Sequence, residues 1–312
     1  MKRILLDCDP GIDDALAIAL AHGSPELEVV GITTVAGNVG LEHTTPNALS
    51  LTEFYGMDVP VAAGADRPLL RAPDTASTVH GATGLGDVVL PRAGAEPEPR
   101  HAVDFIIDTV TSSPGEISLV AVGPLTNIAL ALRKEPRLAE WVREFVVMGG
   151  SYTRGNLTPA AEFNIGADPE AASVVFGAPW HPVMFGLDLT HQARATAEVR
   201  ERFAGLGRLQ DELLGPCLDF YGSNRQYRDE GPAIHDACAV AHVIAPELFT
   251  TVPARVDVEI SGRFTSGMTV TDFAPEAEHN ALVATELDRR AFWDLLTDSF
   301  HGVARAMAGT NR

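Results

Sequence analysis

The sequence predicts an α/β fold: an open, mostly parallel, Rossmann-like sheet with helices on both faces and a small antiparallel C-terminal extension. Three observations carry this. Short apolar runs recur along the chain, segments of helical apolar spacing lie between most of them, and polar turns stand just past several of the runs. Continuous apolar runs suit strands covered on both faces, as in a parallel sheet.

Residues 3–6, with a basic preface, read as the first strand; Pro10 and Gly11 turn the chain, and residues 12–22 keep a helical apolar stripe. Further strands are predicted at 28–34, 59–63, 117–122, 145–148 and 182–187. Helices are predicted at 41–55, 102–111, 125–134, 169–176, 206–225, 235–244 and 289–307. The runs at 255–261, 268–271 and 281–286 read as an antiparallel appendix to the sheet. Segments 68–86 and 93–101 are rich in Gly, Pro and Thr and read as long surface loops, a length often tied to function. No repeat, low-complexity tract or linker divides the chain, so residues 1–312 are expected to form one domain.

A chain of 312 residues with 46% hydrophobic content can bury an enzyme-sized core. Its net charge of −19 and pI near 4.8 argue against nucleic-acid or anionic-membrane partners, which would be repelled. The first apolar run stops at Asp7, too short for a secretory signal, and no apolar stretch of about 18 residues exists to span a membrane, so a cytoplasmic protein is expected. Cys8, Cys217 and Cys238 are widely spaced and suit buried reduced thiols. A Cys8 thiolate nucleophile is disfavoured, because the neighbouring acids would raise its pKa.

The stretch Leu5-Leu6-Asp7-Cys8-Asp9-Pro10-Gly11-Ile12-Asp13-Asp14-Ala15 places four carboxylates within eight residues, across a strand end and a helix's first turn. Acids that close repel one another unless a cation sits among them. The carboxyl edge of an open α/β sheet is where ligands bind, and a helix N-terminus tolerates negative charge. Alone, Asp13 and Asp14 would read as first-turn acids meeting the helix dipole. Asp7 and Asp9 on the preceding strand end turn the reading toward a metal site. Oxygen ligands without Cys-Cys or His-rich spacing select a hard cation, calcium or magnesium rather than zinc.

Two acidic motifs do not fit. An EF-hand needs Gly and Glu at its sixth and twelfth positions; counted from Asp9 these are Asp14 and Leu20, and from Asp7 they are Ile12 and Ile18. A phosphatase with an aspartyl nucleophile also offers Asp-x-Asp, but its following Thr or Val is replaced here by the Pro10-Gly11-Ile12 turn.

More polar motifs follow the predicted strands: Thr33-Thr34-Val35-Ala36-Gly37-Asn38, Val122-Gly123-Pro124-Leu125-Thr126-Asn127 and Met148-Gly149-Gly150. Beyond them come Asn156, the cluster Ala161-Glu162-Phe163-Asn164, and Ile234-His235-Asp236-Ala237-Cys238 at a helix start, with His80 on the long loop. Carboxylates, amides and two histidines on one edge suit a polyhydroxylated ligand whose vicinal hydroxyls bind a hard cation.

The Asp7 to Ala15 motif resembles the N-terminal signature of the nucleoside hydrolases, the inosine-uridine-preferring family of calcium-dependent ribohydrolases. The likeness continues, in the family's order, through Thr33 to Asn38, Val79-His80-Gly81, Gly123 to Asn127, Ala161 to Ile165 and His235-Asp236. It implies the nucleoside hydrolase fold, a homodimer or homotetramer, and hydrolysis of a purine or pyrimidine ribonucleoside to nucleobase and ribose. It also implies Ca2+ held by Asp9, Asp14, Asp236 and the backbone carbonyl of Val122, with water and the ribose 2′- and 3′-hydroxyls completing roughly 6 to 8 ligands. Asp9 would be the general base, touching both the metal and the attacking water, and His235 the acid for the leaving nucleobase. Asp13, Asn164 and Asp236 match ribose-hydroxyl contacts, Asn156 and Glu162 match contacts to the 5′-hydroxyl, and Asn38 supports them. His80 matches a second histidine near the nucleobase, with Ala82 where many relatives carry Glu. Asp7 is left as an acid that positions the turn.

On the helix predicted before His235, Asp219, Ser223 and Tyr227 share a face, with Phe220, Tyr221 and Asn224 nearby. Pyrimidine-preferring relatives place a Thr, Gln and Tyr or Arg set there, of which Tyr227 fits and is expected to meet substrate. Trp141, Trp180 and Trp293 lie outside the matched motifs, so no tryptophan pair is offered to a purine. Two other functions stay open: hydrolysis of another ribosyl N-glycoside such as nicotinamide riboside, and non-catalytic nucleoside or ribose binding. The retained Asp9 and His235 weigh against the second, since a binder needs no general base.

Overall fold

The computed structural model describes residues 1–223, 230–274, 276 and 278–309. β1 (Lys2–Cys8) alternates across the sheet: Ile4, Leu6 and Cys8 join the core on one face and Leu5 the core on the other. α1 (Ile12–Gly23) follows, buried from Ile12 to Ala21, so the predicted stripe is a helix enclosed all round. Then come β2 (Leu27–Thr34), α2 (Leu41–Tyr55), β3 (Val61–Ala63), α3 (Ser77–His80), α4 (Ala102–Ser112), β4 (Ile117–Ala121), α5 (Thr126–Lys134), α6 (Leu138–Trp141) and β5 (Glu144–Met148). The chain continues through α7 (Phe163–Ala167), α8 (Pro169–Phe176), β6 (Val183–Phe185), α9 (Leu187–Thr190), α10 (Ala197–Glu201), α11 (Gly215–Ser223) and α12 (Asp236–Ile244). It ends with β7 (Phe249–Val258), β8 (Thr269–Asp272), β9 (Ala281–Leu287) and α13 (Arg289–Gly309).

These strands form one nine-stranded sheet in the order β3-β2-β1-β4-β5-β6-β9-β7-β8. α1, α12 and α13 pack together on one face, while α4, α5 and α8 cover the other. Strand order reverses between β1 and β4, so the loops leaving these two strands diverge and open a crevice at their carboxyl ends. Asp7 stands in register with Thr33 of β2 and Ala121 of β4, which brings the first acidic motif level with the motifs after β2 and β4.

The structure departs from the sequence reading at three places. The 281–286 run does pair antiparallel with β7, as the appendix requires, but its other edge lies parallel to β6, with Val183 opposite Leu282, so β9 joins the antiparallel end to the parallel sheet. An apolar run of this length carries no sign of its partner's direction, which tertiary packing decides. The helix predicted at 206–225 starts only after Gly205 and Gly207, which take positive φ, and it passes through a π-helical turn, Gln210–Leu214, before continuing as α11. The 68–86 loop carries α3, a single turn that delivers His80.

Candidate active site

Asp9 follows β1 and is fully buried. Its Oδ2 accepts the Asn38 backbone N–H at 2.6 Å, while Oδ1 has no hydrogen-bond partner among the described residues. Gly37 and Gly123 make room for it: a Cβ on Gly37 would stand 2.1 Å from Asp9 Oδ2, and one on Gly123 2.7 Å from Oδ1. Asp14 is fixed from three sides. The Asp9 and Gly11 backbone N–H groups donate to its two oxygens at 3.1 and 2.8 Å, and Asn38 Nδ2 donates at 3.1 Å. Asn38 therefore ties the loop after β2 to both acids.

Carboxylate oxygens of Asp13, Asp14 and Asp236 all lie within 4.8 Å of one another, and all three residues are buried. Asp236 opens α12, so a residue far along the chain closes the cluster begun at β1. Burial and then Asp14 push Asp13 up to about 8, and burial pushes Asp14 up to about 6. Burial followed by the neighbouring acids, Asp14 beside Asp9 and Asp13 beside Asp236, holds Asp9 and Asp236 well above the ordinary carboxylate range. A divalent cation would reverse these shifts, because it stabilises the ionised forms that burial and mutual repulsion disfavour. The Val122 carbonyl accepts Asn164 Nδ2 at 2.8 Å and keeps a second lone pair. The donor set is all oxygen, and the arrangement is able to hold a metal ion.

Asp7 serves the frame. Its Oδ1 accepts from Thr33 Oγ1 at 2.6 Å and from Asn127 Nδ2 at 2.8 Å, joining β1 to β2 and to α5. Burial pushes it up to about 7. Asn127 also donates to the Thr34 carbonyl and accepts the Ala65 N–H, so this motif asparagine clamps loops together.

Above this floor opens a cleft of about 280 Å³. Asp13, Asn38, His80, Val122, Asn156, Glu162, Asn164, His235 and Asp236 line it, which gathers nine of the predicted site residues in one place. Glu162 is 2% exposed and caps α7: its Oε1 accepts the Asn164 N–H at 2.9 Å, and its Oε2 accepts those of Gly150 at 2.9 Å and Ile165 at 3.1 Å. Asn156, exposed on the rim, accepts the Phe163 N–H through Oδ1 at 2.8 Å. His80 Nδ1 accepts the Ile12 N–H at 3.1 Å, so its proton resides on Nε2, and burial lowers it to about 4. His235 Nδ1 pairs with Thr190 Oγ1 at 2.7 Å. Burial first, then His191, Arg194 and His80, hold His235 well below the ordinary histidine value, so the ring is neutral at pH 7.

Residues 4–294 match the inosine-uridine preferring nucleoside hydrolase family. The chain belongs to that family. It is 47% identical over 308 residues to the inosine-uridine preferring nucleoside hydrolase of Leishmania major, covering 97% of this chain and 98% of that one. The pyrimidine-specific ribonucleoside hydrolase RihA of Citrobacter koseri is 44% identical over 301 residues, covering 95% and 96%. The structure of the purine-preferring ribonucleoside hydrolase from Gardnerella vaginalis superimposes with a TM-score of 0.92 at 34% identity, over 97% of this chain and 99% of that one. The protein is thus a nucleoside hydrolase, an enzyme that hydrolyses N-glycosidic bonds. These relatives' names differ in nucleobase, so family membership alone leaves the preference undecided.

The base side of a nucleoside hydrolase cleft is where the sequence reading was thinnest. Tyr227 lies outside the described residues. Asp219 is exposed and ion-pairs with Arg200, and Ser223, also exposed, donates to the Phe220 carbonyl, so neither lines the cleft. Tyr221 does line it, its ring 5.5 Å from that of His80. Thr75, Ala76, Thr78, Val79, Met148, Leu157 and Phe163 complete the wall, and the sequence assigns none of them a role. Position just past a strand flagged Met148, but the loop residues offered only their nearness to His80. Thr190 sits one short helix beyond β6, where the same strand-end rule would have found it. Among the described residues no helix is long and apolar enough to cross a membrane.

Proposed function

We propose that the enzyme hydrolyses purine or pyrimidine ribonucleosides to nucleobase and ribose with a calcium ion at the acidic floor, the whole 1–312 chain acting as one nucleoside hydrolase domain. The observation that supports this is the convergence of buried carboxylate oxygens of Asp13, Asp14 and Asp236, together with an Asp9 Oδ1 that has no hydrogen-bond partner among the described residues, under a cleft lined by Val122, amides and two neutral histidines. Asp9, Asp14, Asp236 and the Val122 carbonyl would hold the ion. Bound there, calcium would orient the ribose 2′- and 3′-hydroxyls and the attacking water and ease that water's deprotonation.

Asp9 is the general base, since Oδ2 is already committed to Asn38 and Oδ1 is left to take a proton. Water attacks C1′ as the N-glycosidic bond lengthens through an oxocarbenium-like state. Asp13, Asn164 and Asp236 position the ribose, with Asn38 supporting the acids, while Asn156 and Glu162 meet the 5′-hydroxyl. His235 is the leaving-group acid; as a neutral ring it acts by offering its hydrogen to the nitrogen on which negative charge grows. His80, on the cleft wall, meets the nucleobase. Buried thiols at Cys8, Cys217 and Cys238 suit a reducing, cytoplasmic setting, and the working form is a homodimer or homotetramer.

Incubation with inosine, uridine, cytidine and adenosine in calcium, followed by assay of free ribose, tests the reading. Release from at least one nucleoside is expected. No release from any would overturn it, and release from nicotinamide riboside alone would move the substrate to another ribosyl N-glycoside.

A further inference from the structure

Thr190 ends α9, the turn just past β6, and is fully buried. Its backbone N–H donates to the Gly186 carbonyl, so the main chain is satisfied without its side chain. The hydroxyl has one partner among the described residues, His235 Nδ1 at 2.7 Å. That single contact fixes the direction of the bond. A hydroxyl proton with no other acceptor is satisfied only if Nδ1 accepts it. Were Nδ1–H the donor instead, the buried hydroxyl proton would be left unpaired, at a cost of about 1–3 kcal/mol. Nδ1 therefore carries the lone pair and Nε2 the hydrogen, and Nε2 has no protein partner among the described residues while His235 lines the cleft.

We propose that Thr190 is a positioning residue for departure of the nucleobase: its hydroxyl locks His235 in the Nε2–H form and holds that N–H toward the leaving nitrogen. The proposal rests on the reading of His235 as leaving-group acid. No proton crosses the Thr190 to His235 bond; the hydroxyl keeps its proton, and the Nε2 hydrogen is shared with the nitrogen that gains charge as the C1′–N bond breaks.

The test compares inosine or uridine with 4-nitrophenyl riboside, whose phenolate departs without a hydrogen-bond donor. Thr190→Val keeps the side-chain shape and removes the hydroxyl. It is expected to lower kcat on the nucleoside by about 10–100-fold, one lost hydrogen bond to the reacting complex, with KM within about threefold. Turnover of 4-nitrophenyl riboside should stay within about twofold, which also shows that the variant is folded. Thr190→Ser, which retains the hydroxyl, should restore nucleoside turnover, and Thr190→Val added to His235→Ala should cost nothing further. Equal losses on both substrates would make Thr190 merely structural and overturn the proposal, as would no loss on either. If His235→Ala slows nucleosides selectively while Thr190→Val does not, the Thr190 role alone fails. If His235→Ala is itself unselective, the reading of His235 fails and this proposal with it.

Discussion

Replacing Glu162 by Gln changes one atom in a carboxylate that accepts three backbone N–H groups. The amide oxygen of Gln can replace Oε2 and keep the Gly150 and Ile165 bonds, but the amide nitrogen then faces the Asn164 N–H, donor against donor. One charge-assisted hydrogen bond is lost and a buried N–H is orphaned, together about 2–4 kcal/mol. The helix cap of α7 weakens, and because Asn164 Nδ2 holds the Val122 carbonyl, the disturbance reaches the floor of the site. Thermal unfolding should move down by about 3–6 °C. Steady-state hydrolysis of uridine should lose roughly 10–100-fold in kcat/KM. Under the proposed 5′-hydroxyl contact, the preference for uridine over 5′-deoxyuridine should shrink in the variant. A Gln variant within about 1 °C and about twofold in kcat/KM would refute the reasoning, since it would mean that the three donors do not need a carboxylate.

Asp9→Ala should reduce ribose release by at least about 100-fold while thermal unfolding still shows a folded protein; an unchanged rate removes Asp9 from its role. Chelation should lower both activity and melting temperature, and calcium at 100 times its Kd should restore about 2.7 kcal/mol of stability. That stabilisation should grow between about pH 5.5 and about 8. Asp7, Asp13 and Asp14 are raised to about 7, 8 and 6 in the fold, so their favourable contribution is full in acid and is lost as pH rises through those values, whereas calcium binds the ionised forms. A pH-independent calcium effect by calorimetry would contradict this. Cys8, Cys217 and Cys238 are buried, and burial pushes the Cys217 thiol up to about 12, so a maleimide should label none of them in the native protein and all three after unfolding.

The acidic motif was legible because its chemistry is local: Asp7, Asp9, Asp13 and Asp14 fall across one strand end and one helix start, and their repulsion is visible in the order of residues alone. Glu162 was legible as a site residue but not as the cap that three amides define, since those amides come from Gly150, Asn164 and Ile165 on two separate segments. The base side of the cleft was hidden because spacing alone does not say which face of a helix meets a site: Asp219 and Ser223 do share a face of α11, but that face lies in solvent, and Tyr221 stands at the cleft wall.

By itself the sequence determined the alternation of strands and helices, the strand-end location of the polar motifs, and the family to which their order belongs. These depend on spacing and on neighbouring residues. The tertiary structure decided which way β9 runs, that Asp236 closes the cluster begun at Asp13 and Asp14, and that Thr190 stands behind His235. Each joins segments 45 or more positions apart or depends on how two strands meet, and such pairings are fixed by burial of a shared core rather than by any local pattern.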